Sequence, residues 1–474
     1  MGALQMITGA IDRRLLLLPL SWSLLWALPA EADNAMGQKD TIFTGVNDRQ
    51  AVELAIAPGL VQGSRLDGVL RNYYFQRDNH SDLVRRDPTE WAQGFLLSFR
   101  SGFTDTPIGV GVDAHAFLGL KLDGGGGSGG AGLLPLDASG APEDEFSSAG
   151  AALKLRYLDT LVKAGDQLVE NPLVGSGTSR LFPQGYRGVT LKNHSLNDLW
   201  LDAGFVESTR LRNQSGHSHL VTAYGAGTAD RESPHVAWLG GSYNTLQGLQ
   251  LTVYGGQLED IWDQYYLGIS ERFQVGEQLT LKPYLHWYRT TDQGRSQLGR
   301  IDNDTYSGGI AATAYGQTLI LGLQKVDGRT PFDYLTQDDR IFLYLSNSQQ
   351  FADFNGPGEK SWRLQYETNL SVLDAPSMQL IVAYTRGEAD LTRVDPNSIG
   401  YGYIYNPDGK DAKHWERDVA LKYVVPAGAA KDLSLTLRWA THREGDGYTA
   451  PGNTRGNSSA DEYRLIVDYP VNFF

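Results

Sequence analysis

The sequence predicts an all-β chain, a transmembrane antiparallel β-barrel of about eighteen strands. Three observations lead there. The chain closes with Asp461-Glu462-Tyr463-Arg464-Leu465-Ile466-Val467-Asp468-Tyr469-Pro470-Val471-Asn472-Phe473-Phe474, an alternating strand that stops on an aromatic residue. Termini of globular domains usually fray, whereas the last strand of a barrel pairs with the first and removes the free edge. Alternating segments about ten residues long recur along the chain, the length expected of tilted membrane strands. The composition is also polar for a membrane protein, with mean hydropathy −0.33, 55 glycines and 11% aromatic residues. A barrel shows lipid only alternate residues, so its average stays polar. Past residue 32 no apolar run is long enough for a membrane helix.

Taken from the N-terminus, Arg13-Arg14 precede Leu15-Leu16-Leu17-Leu18-Pro19-Leu20 and Trp22-Ser23-Leu24-Leu25-Trp26-Ala27-Leu28, followed by Ala30-Glu31-Ala32. This reads as a Sec signal peptide over residues 1–32, with small residues where a signal peptidase needs them. A single membrane anchor fits less well, because the apolar stretch is short and broken by Pro19. Residues 33–65 are expected to form a periplasmic lead-in and residues 66–474 the barrel. Asp12, Arg13, Arg14 and Glu31 cancel, so the mature chain keeps the formal charge of −14. The chain has no Cys, which rules out disulfides and thiolate metal sites. Export without Cys points to a bacterial envelope, so sequences such as Asn213-Gln214-Ser215 are chance matches to a glycan acceptor.

Clear strand candidates are 94–100, 108–122, 279–288, 318–324, 362–370, 378–384, 419–425 and 433–439. Short turns are expected at 102–107, 195–198, 245–248, 275–278 and 427–431. Long polar loops are expected at 123–150, 213–234, 291–305, 328–360, 389–415 and 444–460. Short periplasmic turns against long external loops are the asymmetry of outer-membrane barrels; a soluble sandwich would not sort its loops so regularly. Trp91, Tyr157, Tyr265, Tyr288, Tyr366, Tyr384, Tyr423 and Trp439 would supply the interfacial aromatic girdles.

Parity assigns the pore face. In Val419-Ala420-Leu421-Lys422-Tyr423 the larger apolar residues take odd positions, so Lys422 points inward. The same period sends Arg71, Arg100, Lys121, Lys154, Arg156, Lys282, Arg363 and Arg438 into the lumen. A lipid-facing Arg or Lys at midplane would cost roughly 2–4 kcal/mol, which favours the same placement. Such cations either offer successive weak sites to a passing anion or pair with Asp67, Asp113, Asp202 and Glu367.

Leu66-Asp67-Gly68-Val69-Leu70-Arg71-Asn72-Tyr73-Tyr74-Phe75-Gln76-Arg77-Asp78, the run Gln167-Leu168…Asn171-Pro172…Ser179-Arg180-Leu181-Phe182-Pro183-Gln184-Gly185-Tyr186-Arg187-Gly188 and the closing Arg464-Leu465-Ile466-Val467-Asp468-Tyr469-Pro470 resemble the OprD-type substrate-specific outer-membrane channels. The resemblance covers essentially the whole mature chain. It implies an eighteen-stranded barrel narrowed by inward loops that admits small solutes, mostly carboxylates, by facilitated diffusion. It further implies that Arg438 and Arg443 belong to a basic ladder. Thr436, Ala383 and Gln365 stand where related channels often carry further Arg, so the ladder here is thinner, with Arg363 in partial compensation. The third long loop, about 169–186, resembles the constriction loop. Pro172 and Pro183 stiffen it, Gly175 and Gly177 allow tight bends, and Arg180 and Arg187 are candidates for bidentate carboxylate contact. Asp327, Asp333, Asp338 and Asp339 are candidates for an opposing acidic side.

Other constellations carry less. The glycine run at 124–130 lacks the Gly-Lys-Ser/Thr of a phosphate loop and reads as an external loop. His217 and His219 lack a third metal ligand. His286 and His442 lack the Ser and acid partners of a membrane-edge hydrolase. Only about thirty residues separate the signal peptide from Leu66, too few for the plug of an energy-coupled receptor. The expected function is a channel in the outer membrane of a Gram-negative bacterium, not an enzyme, with no cofactor, no metal and no nucleic-acid partner. Its solutes would be small anionic or zwitterionic nutrients such as amino acids or organic and aromatic acids. A general diffusion porin and a non-conducting structural barrel are the alternatives. Expected partners are outer-membrane lipid and lipopolysaccharide and, through Phe474, the assembly machinery; both a monomer and a homotrimer fit the alternation.

Overall fold

The computed structural model describes residues 59–80, 87–123, 128–177, 179–225, 231–245, 248–335, 344–373, 375–450, 452 and 458–474. The expected signal peptide and nearly all of the lead-in lie outside the described residues. The strands are β1 (Arg65–Asn79), β2 (Thr89–Arg100), β3 (Gly109–Lys121), β4 (Glu145–Tyr157), β5 (Thr160–Gln167), β6 (Gly185–Leu196), β7 (Leu199–Arg210), β8 (Val236–Asn244), β9 (Leu249–Leu258) and β10 (Trp262–Glu271). They continue as β11 (Phe273–Val275), β12 (Leu279–Asp292), β13 (Asp302–Ala314), β14 (Gln317–Gly328), β15 (Lys360–Leu370), β16 (Ala375–Ala389), β17 (Ala412–Val424), β18 (Ser434–Glu444) and β19 (Ala460–Asn472). Strands β10 and β11 are one strand interrupted at Arg272, because both pair with β12. Nineteen segments therefore make a closed antiparallel barrel of eighteen strands.

Closure runs from Asp67 opposite Asn472 to Asn79 opposite Ala460. Phe473 N donates to Leu66 O at 3.0 Å and Leu66 N to Phe474 O at 3.2 Å, so the ladder is paired to the last residue. Both chain ends of the barrel share the side of the two-residue turns, which fixes that side as periplasmic. The 315–316 turn has φ of 53° at Tyr315 and 74° at Gly316, the left-handed pair that a twist-matched two-residue hairpin requires.

Alternation sorts the wall. On β14 Leu319, Leu321 and Leu323 face out while Ile320, Gln324 and Val326 face in. Trp91, Tyr157, Tyr265, Tyr366, Tyr423 and Trp439 are exposed on the outer face and Tyr384 is half-exposed there. Tyr288 departs from the girdle expected of it. It is fully buried on the lumen side, sharing parity with Tyr284 and His286, and its hydroxyl donates to Pro172 O at 2.9 Å. The outer positions of this strand belong to Leu285 and Trp287, the residues of opposite parity.

Three external loops turn back into the barrel: L2 (122–144), L3 (168–184) and L7 (329–359). L3 contributes Val169, Leu173 and Val174 to one buried cluster that also holds Leu335 of L7 and wall residues Trp238, Tyr254 and Tyr288. L2 contributes Ala131, Leu133 and Leu134 to a second, with Leu181 and Phe182 of L3 against Tyr73, Phe75, Phe117 and Phe146. The long loop expected outside at 123–150 is thus buried at Ala131, Leu133 and Leu134, while 128–130 of the glycine run are half-buried or exposed and 124–127 lie outside the described residues. Glycine clears the way for this packing: a Cβ at Gly119 would stand 2.5 Å from Phe146 and 2.9 Å from Leu181.

Candidate functional site

A loop inside a barrel has no ladder partners, so its backbone groups need side chains from the wall. Glu90 on β2 supplies four such bonds. Its carboxylate accepts the N–H groups of Gly130 (3.0 Å), Ala131 (2.9 Å), Leu133 (2.9 Å) and Leu134 (3.1 Å), closing L2 into an anion-binding nest. L3 is held from β1. Arg71 forks onto Asp468 at 2.8 and 3.3 Å and donates from Nη1 to Arg180 O at 2.9 Å, while Tyr73 Oη donates to Ser179 O at 2.8 Å. Arg180 in turn donates from Nε to Ala131 O at 2.7 Å and lies 4.8 Å over the Phe75 ring, joining L3 to L2. Burial first, then the neighbouring Arg464 and Arg212, pull its guanidinium down to about 9, still a cation at neutral pH.

L7 is pinned by acids of β17 and β19. Glu416 accepts from Phe351 N (2.7 Å) and Ala352 N (2.8 Å), and Asp418 from Gln350 N (3.0 Å). Glu462 holds Arg464 at 2.5 Å, Arg77 at 2.6 Å and Gln350 Nε2 at 3.1 Å. At the root of L7, Asp333 accepts from Tyr224 N, Gly225 N, Tyr334 N and the Tyr401 hydroxyl, tying L7 to the β7–β8 and β16–β17 loops. Burial raises the Asp333 carboxyl above its ordinary value, against the pull of these donors.

The sequence-predicted cations separate into groups. Arg363, Lys422 and Arg438 share the lumen wall built by β15 to β18. Arg438 stands directly opposite Arg464, and Lys422 opposite Gln379 and Thr436. Along this wall Arg363 Nε, Gln365 Oε1, Thr385 Oγ1 and Thr436 Oγ1 are buried polar atoms with no protein hydrogen-bond partner among the described residues. Gln365, Ala383 and Thr436 all fall on this face, with Gln365 opposite Ala383. On β3 to β5, by contrast, Lys154 and Lys163 share Asp113 at 2.7 and 2.8 Å. Arg156 lies 4.2 Å over the Phe103 ring near the periplasmic mouth, and Lys282 is half-buried on lumen parity beside Tyr284. Arg100 pairs with Asp67 at 2.5 Å, and Lys121 with Asp144.

Several placements differ from expectation. Arg443 is on the outer parity of β18 with Leu437 and Trp439, at the external rim, where it pairs with Asp461 at 2.6 Å; five residues from Arg438 is an odd step and reverses the face. Arg187 belongs to β6 rather than to L3, and its half-exposed side chain pairs with Asp166 at 3.0 Å. Arg180 is in L3 with its guanidinium engaged by the loops rather than open to a carboxylate. Asp327 is the penultimate residue of β14 and pairs with Lys325 at 2.7 Å, Asp333 is a buried strut, and Asp338 and Asp339 lie outside the described residues. His217 pairs with Asp166 at 2.5 Å. Sequence reasoning missed Arg464, Lys163, Glu90, Glu416 and Asp418 as lumen residues, although the same period-two count places each of them inward.

Comparison with known proteins agrees with this architecture. Residues 58–473 match the family model described as outer membrane porin, OprD family. Porin D of Pseudomonas aeruginosa is 39% identical over 438 residues, covering 90% of this chain and 95% of the relative. The porin-like protein GalP of Pseudomonas putida is 30% identical, covering 88% and 94%. Among solved structures, Pseudomonas aeruginosa OpdK with vanillate superposes with a TM-score of 0.77 at 32% identity, covering 88% of this chain and 100% of OpdK. With its closed barrel, inward loops and end-to-end match, this chain belongs to the OprD family of substrate-specific outer-membrane porins.

Proposed function

We propose that the channel selects small carboxylate-bearing solutes and that they pass along the β15–β18 wall, meeting Arg363, Arg438 and Lys422 in turn. The observation that carries this reading is the contrast between the two walls. On β3 to β5 Lys154 and Lys163 are tied to the shared carboxylate of Asp113, whereas the β15–β18 wall sets its cations among buried polar atoms of Gln365, Thr385 and Thr436 that have no protein hydrogen-bond partner among the described residues. Such groups are served by water or by a passing solute. Several weak cationic contacts in series draw an anion in without trapping it. OpdK, a relative of the same fold, was crystallised with vanillate, which supports a carboxylate class without naming this chain's solute.

Arg438→Ala and Lys422→Ala test the reading in planar bilayers and in liposome swelling with carboxylates and neutral sugars. A unit charge facing a solute across water is worth about 1 kcal/mol at contact, so each change should lower anion-over-cation permeability roughly fivefold. The effect should fade as salt shortens the Debye length to about 8–10 Å. Arg443→Ala, outside the lumen, should leave selectivity unchanged. Equal swelling rates for all solutes before and after both lumen changes would instead favour a general diffusion porin. No conductance at all would leave a structural barrel.

A further inference from the structure

The outer face of the barrel carries its own electrostatic pattern near the external rim. Lys360, Arg386, Lys413 and Arg417 all lie on outward positions in the upper part of β15, β16 and β17. None of the four makes an ion pair among the described residues. At the same height elsewhere, outward positions are acidic or neutral, as at Glu207, Gln257 and Asp263, or already compensated, as where Arg289 pairs with Asp302 and Asp304 at 2.7 Å each. Aromatic rings interleave with the cations. Arg386 stands directly between Trp362 and Trp415 on the neighbouring strands, and Arg417 lies 4.7 Å over Trp439. Tyr384 packs between Trp362 and Trp415 at ring distances of 5.5 and 6.0 Å. Above them Arg386, Lys413, Trp415, Glu444 and Asp446 border an external cleft of about 270 Å³. Glu444 is turned to Ser458 N at 2.7 Å, and Glu388 is the one carboxylate standing between Lys360 and Lys413.

Arginine deep in lipid is costly, and near the interface the cost falls to about 0–1 kcal/mol; four cations held by no ion pair at that height sit where headgroup phosphates lie. Opposed residues on adjacent strands are about 5 Å apart and diagonal ones about 7–8 Å, so arms as long as Arg and Lys converge on one diphosphorylated headgroup while the aromatic rings below meet its acyl chains. We propose that this face of β15–β17 is a binding site for one molecule of phosphorylated outer-leaflet lipid, lipopolysaccharide, with Arg386, Lys413 and Arg417 as its main phosphate contacts.

The test compares purified barrels, wild type and Arg386→Gln/Lys413→Gln/Arg417→Gln, titrated in detergent with bisphosphorylated lipid A, dephosphorylated lipid A and inorganic pyrophosphate, read by native mass spectrometry. Wild type should take up one bisphosphorylated lipid A, bind the dephosphorylated form at least tenfold more weakly, and show no retention of pyrophosphate. A basic side chain near an anionic headgroup contributes about fivefold in affinity, so the triple variant should lose roughly a hundredfold. Arg295→Gln, an exposed loop cation paired with Asp260, should match wild type. Equal binding of the two lipids by wild type overturns the proposal whether or not the triple variant assembles, and so does unchanged affinity in an assembled triple variant. Pyrophosphate binding as tight as lipid A would reduce the site to a free-anion site and also overturn it.

Discussion

Replacing Glu90 by Ala should loosen the constriction from a residue that does not touch the solute path. The carboxylate is buried and accepts four backbone N–H bonds from residues 130–134. Ala131, Leu133 and Leu134 are at most 1% exposed, so their N–H groups lose their acceptor in a dry place. Each such group costs about 1–3 kcal/mol. Water entering the space left by the side chain recovers part, leaving a net local loss of roughly 3–6 kcal/mol. That is small against a whole barrel and large against the opening energy of a single loop, so L2 should detach while the barrel stays closed. Arg180 then loses Ala131 O, and the disturbance passes to L3. The expected result is a heat-modifiable, assembled protein with higher and noisier single-channel conductance and fast amide exchange over 130–134. Glu90→Gln should fall between, because an amide oxygen can serve two of the donors while its NH2 faces the others. Wild-type conductance together with wild-type exchange at 130–134 in Glu90→Ala would refute the reasoning.

Asp113→Asn removes the shared partner of Lys154 and Lys163 and should shift the reversal potential in a salt gradient toward anions; an unchanged potential would mean those ammonium groups do not face the ion path. Asp333→Asn keeps the shape but sets an NH2 against N–H and O–H donors that now reach both oxygens. It should cost about 2–4 kcal/mol of local stability, read as faster proteolysis of L7 with the barrel intact. Deleting Phe474 removes the acceptor for Leu66 N and the terminal aromatic, and should lower the amount of heat-modifiable barrel in the outer membrane; full assembly would separate the closing bond from any recognition role.

The wall was legible because its physics repeats every two residues. Lipid outside and polar lumen inside give each strand one answer per position, so Arg363, Lys422 and Arg438 could be put on a face from parity alone. Tyr288 shows what happens when parity is set aside for composition: an aromatic near a strand end was assigned to the girdle, yet Leu285 and Trp287 hold the outer side. Arg443 is the same lesson from a motif, since its spacing from Arg438 already reverses the face. The loops carry no such period. Nothing in Gly130-Ala131-Gly132-Leu133-Leu134 says that it enters the barrel, and the only sequence signal is an acid, Glu90, on a face where its partner is a backbone lying some forty residues away.

The inward acids explain why charge in this lumen is not simply a substrate signal. Glu90, Asp333, Glu416 and Asp418 spend their oxygens on loop N–H groups, and Arg71 spends its fork on Asp468 and its remaining arm on L3. Only after these are set aside does the β15–β18 wall stand out. Residues 350–352 of L7 lie against that wall and the adjoining β19, with Arg464 donating to Gln350 O at 3.3 Å and holding Glu462. Neutralising Arg464 therefore removes a lumen charge and releases a loop anchor together, so a change in permeation there cannot be assigned to either. Lys422 lies lower on the wall, opposite Thr436 and Gln379 and away from the contacts that pin residues 350–352. A selectivity change in Lys422→Ala without faster exchange in L7 would isolate the electrostatic contribution; the same change accompanied by L7 exchange would assign the effect to loop displacement instead.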